Sequence, residues 1–159
     1  MISTEELKRY PHFAGMPGVL LRDIASISRN RDFVAGDRLF SEGNTARHLM
    51  FLKSGEVAIV YRLGDDREVV ADTLVAGDAM AWSALLEPHV LTGSGVASKD
   101  GSLLEIEAES LRRICDENRD YGYTVMKEVG KTLRTRLSAM RVQAAASIRE
   151  PLETTAPLD

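Results

Sequence analysis

The spacing of apolar residues changes twice along the chain. Up to residue 28 it is helical. Ser3 or Thr4 can cap a first short helix with Glu5 and Glu6 in its opening turn, and Pro11 ends it. Pro17 suits the start of a second helix, whose apolar residues Leu20, Leu21, Ile24 and Ile27 recur at intervals of three and four. From 29 to 107 the apolar runs are short, rich in Val, Ile, Leu and Phe, and broken by glycines. They predict strands over Asp32–Val34, Arg38–Phe40, His48–Lys53, Val57–Leu63, Glu68–Leu74, Leu91–Ser98 and Ser102–Ile106, with a hairpin tip at Gly64-Asp65-Asp66. Helical spacing returns at 108. A short amphipathic piece carries Leu111, Ile114 and Cys115. A long helix then starts at the Asn118 cap and runs to Glu150, before Pro151. Its stripe includes Val125, Met126, Val129, Leu133, Leu137, Met140 and Ala144. Residues 151–159, PLETTAPLD, read as a flexible tail.

Many short strands with closely spaced turn signals predict a mainly β fold, a sandwich or barrel, with flanking helices. The length of 159 residues fits one domain, expected over 1–150: N-terminal helices over 1–28, a β-barrel over 29–107 and C-terminal helices over 108–150. A net charge of −4 gives no overall pull toward nucleic acid or anionic lipid. The single cysteine, Cys115, excludes an internal disulfide. The start lacks the basic and apolar regions of a signal peptide, and no run is long enough to span a membrane, so a cytoplasmic protein without membrane association is expected.

Catalytic signatures are missing. His12, His48 and His89 show no metal-ligand spacing, no serine sits in a nucleophile-elbow pattern, and there is no phosphate loop. No enzyme activity and no bound metal are expected.

Several stretches resemble the cyclic-nucleotide-binding domain, the sensor of Crp/Fnr-type regulators and of cyclic-nucleotide-dependent kinase regulatory subunits. Phe33-Val34-Ala35-Gly36-Asp37-Arg38-Leu39-Phe40-Ser41-Glu42-Gly43 resembles the turn between the family's early strands. Met50-Phe51-Leu52-Lys53-Ser54-Gly55-Glu56-Val57 resembles its "F-L-x-S-G-x-V" hairpin, and Leu74-Val75-Ala76-Gly77-Asp78 its "L-x-x-G-D" lead-in to the ligand cassette. Tyr121 to Arg141 resembles its long C-terminal helix. The resemblance implies a double-stranded β-helix (jelly-roll) barrel with a long C-terminal helix, acting in signal transduction.

In that family a Gly-Glu pair opens the cassette helix and takes the ribose, and an arginine clamps the cyclic phosphate. Here Ala81-Trp82 stand where Gly-Glu is expected, and Leu91 or Thr92 where the arginine is. No arginine occurs between Arg67 and Arg112, leaving His89 and Lys99 as the nearby cations in sequence. Losing one partner of a buried charge pair costs about 2–5 kcal/mol, so tight cAMP or cGMP binding is disfavoured. The candidate ligand-binding residues are Ala81, Trp82, Ser83, Ala84, Leu91, Thr92 and Ser94. They leave room for a small anionic or nucleotide-like ligand, with no cofactor assigned. Trp82 reads either as a stacking platform or, slightly favoured, as a core plug.

The resemblance also implies a homodimer through residues 121–145. Met126, Leu133 and Met140, seven apart, suit such a seam, although the stripe could instead cover the barrel. The other face carries Lys127, Lys131, Arg134, Arg136, Arg141 and Arg149. A solvated face is the simpler reading. The family's helix-turn-helix would need two more helices, and nine residues follow Glu150, so DNA binding is not expected. An unidentified protein partner is. A closed scaffold acting only through its dimer surface, or a nucleic-acid regulator using the basic helix, are the alternatives.

Overall fold

The computed structural model describes residues 2–148; the tail at 151–159 and Arg149 lie outside them. Helix α1 (Thr4–Leu7) is capped as expected: Ser3 Oγ accepts from the Glu6 N–H at 3.1 Å. Helix α2 (Gly18–Ser26) follows Pro17 and buries Leu20, Leu21 and Ile24. Six strands come next: β1 (Ser28–Phe33), β2 (Arg38–Phe40), β3 (His48–Arg62), β4 (Glu68–Leu74), β5 (Ala79–Met80) and β6 (Ser94–Glu107). A 3-10 turn (Trp82–Ala84) separates β5 from β6, and helices α3 (Ala108–Glu117) and α4 (Arg119–Ser147) complete the order. The Asn118 side chain caps α4, accepting from the Asp120 and Tyr121 N–H groups.

All strand pairings are antiparallel, in the order β1-β6-β3-β4, with β2 added to β6 and β5 to β3. The ladder is not closed by a β1–β4 pairing. Strands β3 and β6 form its spine, and their alternation buries both faces. Leu49, Phe51, Leu104 and Ile106 pack against the helices with Leu7, Leu20 and Ile24. Met50, Leu52, Val57, Leu103 and Met80 face the inside of the roll with Phe33, Leu39 and Leu74.

The structure joins strands that the sequence reading splits. His48–Lys53 and Val57–Leu63 are one strand, as are the later part of Leu91–Ser98 and Ser102–Ile106. Glycine bends these strands instead of ending them. Gly55 has φ +88°, and a Cβ there would lie 2.6 Å from the Asp100 carbonyl oxygen. Facing it, a Cβ on Gly101 would collide with the Ser54 carbonyl. The two backbones touch where the register shifts, so the paired strands turn a corner together. Strand β1 starts earlier than expected because polar Arg29, Asn30 and Arg31 are held by pairing with β6. The tetrapeptide Val-Ala-Gly-Asp occurs at 34–37 and again at 75–78, a repeat the sequence reading passes over. Both copies make one turn: the Asp carboxylate accepts from the Val N–H at 3.0 Å and 2.9 Å, and Gly36 and Gly77 both have φ +93°.

Candidate ligand-binding site

The second of these turns sets the site. Gly77 donates to the Leu52 carbonyl and Leu52 to the Asp78 carbonyl, each at 2.8 Å, fixing the cassette to β3. Two residues of β5 follow, and then Ala81, which has φ +64° and ψ +41°. This is the left-handed region, costly for a residue with a Cβ. The position where the resemblance expects a glycine thus has a backbone conformation that favours glycine, with an alanine side chain. The single turn Trp82–Ala84 is held at its far end by Arg112, which donates to the Ala84 carbonyl at 2.6 Å.

Beside this turn lies a cavity of about 440 Å³. Ile59 and Tyr61 of β3, Ala71, Asp72 and Leu74 of β4, and Met80 form one wall. Ala81, Trp82, Ser83, Leu91, Thr92 and Gly93 form the cassette side. Leu133, Arg136, Leu137 and Met140 of α4 close over it. The lining is mostly apolar, with a charged pair at the helix side: the Arg136 guanidinium donates to Asp72 Oδ2. The expectation that His89 and Lys99 are the nearby cations is thus corrected. Lys99 pairs with Glu56 on the β3–β6 corner and His89 lies in a turn, and neither lines the cavity. Arg136 also leaves the basic outer face assigned to it from sequence. Its partner is 64 residues away, and no local pattern announces the pair.

Of the seven candidate residues, Ala81, Trp82, Ser83, Leu91 and Thr92 line the cavity. Ala84 is fully buried and does not. Ser94 is also buried and absent from the lining; its hydroxyl accepts from the Glu42 N–H at 2.8 Å. Sequence reasoning missed Tyr61, Asp72 and the α4 residues, which lie outside the cassette.

Trp82 lies between the core and the cavity. Its ring borders the cavity and also packs into an aromatic cluster, edge-on to Phe51 at 6.1 Å and tilted to His12 at 6.4 Å. The indole Nε1 and His12 Nδ1 are buried without hydrogen-bond partners. Burial holds the His12 imidazole below its ordinary pKa, against the opposing pull of Glu128 and Asp78. Burial likewise raises the Cys115 thiol, with Asp116 adding to the shift, so the thiolate is disfavoured.

An antiparallel roll with a cassette turn on one side and a covering C-terminal helix on the other defines a regulatory ligand-binding domain. The sequence profile of the cyclic nucleotide-binding domain family matches residues 30–118, and the chain belongs to that family. It is similar to the solved structure of a putative cyclic nucleotide-binding protein from Geobacter metallireducens GS-15. That match has 31% identity and a TM-score of 0.80, covering 86% of this chain and 99% of that one. A likeness of fold extends to the regulatory subunit of a cAMP-independent protein kinase A from Trypanosoma brucei (18% identity, TM-score 0.69, covering 82% of this chain and 45% of that one). It extends also to CLP, a c-di-GMP responsive global regulator from Xanthomonas campestris (20% identity, TM-score 0.69, covering 84% and 66%). None of the curated proteins matches the sequence. Among the described residues no helix is long and apolar enough to cross a membrane, and no cluster of side chains could hold a metal ion.

Proposed function

We propose that this chain is a non-enzymatic sensor whose cassette pocket takes a small, largely apolar ligand other than cAMP or cGMP, and that α4 carries the signal to a second copy. One observation carries the reading. The pocket is open and apolar, and its guanidinium comes from the helix that covers it, already engaged by Asp72. A cyclic phosphate in the usual place would meet Leu91 or Thr92 where the family has arginine, and Trp82 where it has the ribose carboxylate. It would have to take Arg136 from an existing partner. The names of two relatives of the same fold, cAMP-independent in one case and c-di-GMP responsive in the other, accord with a barrel whose ligand varies.

A ligand in this pocket touches Leu133, Leu137 and Met140, and so acts on α4 directly. Beyond Met140 every described residue of the helix is exposed, which supports pairing with a partner helix. The cavity volume favours this reading over a closed scaffold. Calorimetry tests it: cAMP, cGMP and cyclic di-GMP are expected to bind no tighter than about millimolar, the weakening that follows from an absent arginine. Micromolar cAMP binding that Arg136→Gln abolishes would overturn it. Native mass spectrometry of the purified protein reads any ligand that travels with it.

A further inference from the structure

On the far side of Phe40, Ala81 and Leu91 lies a second and larger cleft, of about 620 Å³. Its floor is Glu105 of β6, only 1% exposed. Alternation along β1 turns Arg29, Arg31 and Phe33 to the same face as Glu105. Phe33 is core, as an inward residue should be. The two arginines are not: Arg29 Nε donates to Glu105 Oε2 at 2.7 Å and Arg31 Nη1 to Oε1 at 2.8 Å. Arg47 enters from the loop before β3 and His48 from the first position of that strand.

The charges do not cancel. Glu105 neutralises one guanidinium. Burial pushes its carboxyl up in pKa, but the bonds from Arg31 and Arg29 outweigh this and hold it below the ordinary range, so it stays ionised. Three arginines against one carboxylate leave an excess of two positive charges in a concavity, where a low-dielectric wall focuses the field. No described residue forms an ion pair with Arg47. Arg29 and Arg31 are pre-oriented by the carboxylate beneath them, and each retains further N–H donors. The volume lies in the range of small-molecule sites.

We propose that this cleft is a second ligand site, for a small molecule bearing a phosphate or polyphosphate group, which Arg31 and Arg47 bind by charge-assisted hydrogen bonds. It is separate from the cassette pocket and has its own cations. Inorganic pyrophosphate is the probe, because it carries no base or sugar to occupy the apolar pocket. In amide NMR of the whole chain it is expected to give saturable shifts at Arg29, Arg31 and Asn44 to His48, larger than any at Thr92 and Gly93. Arg47→Gln removes no described ion pair. It is expected to weaken binding about tenfold or more, the worth of a charged hydrogen bond. Arg134→Gln, on the exposed side of α4, is expected to leave the affinity unchanged. Linear shifts without saturation, shifts centred on Thr92 and Gly93, or equal weakening by Arg47→Gln and Arg134→Gln would each overturn the proposal.

Discussion

At the scale of single residues, two side chains stand at odds with their surroundings. Ala81 occupies a left-handed conformation that glycine adopts freely. Ala81→Gly is therefore expected to raise stability by about 0.5–1 kcal/mol in chemical denaturation, the strain relieved outweighing the added freedom of the unfolded chain. His12 is held neutral by burial, so the unfolded chain binds more protons than the folded one below the ordinary histidine pKa. The stability this lends is complete above about pH 6.5 and falls as the pH drops through the depressed folded value. His12→Phe is expected to flatten the fall in melting temperature between neutral and mildly acid pH. A wild-type-like slope in the variant would count against the imidazole as its source. Glu105 behaves similarly at lower pH. Its contribution is present above the usual carboxylate pKa and lost on acidification, and Glu105→Gln is expected to cost about 1–3 kcal/mol at neutral pH.

At the scale of elements, the glycines explain both what the sequence discloses and what it hides. Spaced Gly and Gly-Asp signals mark each corner, and the repeated turn at 34–37 and 75–78 shows how local that information is. The same residue type conceals strand length. Gly55 and Gly101 read as terminators, whereas they permit two strands to bend while staying paired. Nothing short-range separates the two meanings, since the reason for Gly101 is the Ser54 backbone lying against it. Gly101→Ala is expected to destabilise the protein by about 1–3 kcal/mol, the cost of overpacking, measured by urea unfolding. The cassette was legible for the opposite reason: Gly77-Asp78 places Ala81 to Ser83 by chain connectivity alone. Tyr61, Asp72 and Arg136 were not, because each arrives at the cavity from another strand or helix. Ser94 was misplaced by the same limit. Strand alternation turns it to Glu42 and away from the cavity.

At the scale of the whole molecule, α4 has two kinds of surface. Val125 and Val129 are buried on the body of the protein. Met126, Leu133, Leu137 and Met140 are each about half exposed. If these four form the seam of a dimer, Met126→Glu, at the one of them that does not line the cassette cavity, shifts the sedimentation coefficient from dimer to monomer. An unchanged, concentration-independent monomer in the parent protein would remove α4 as the dimer seam.

Phe40, Ala81 and Leu91 face the apolar pocket with one side and the basic cleft with the other. A partition shared by two chambers makes each a gauge of its neighbour. Whatever factor an occupant of one imposes on affinity in the other, the second occupant returns in equal measure. A thin wall of one aromatic ring and two small aliphatic groups would then be enough to make the domain read two chemicals as one answer.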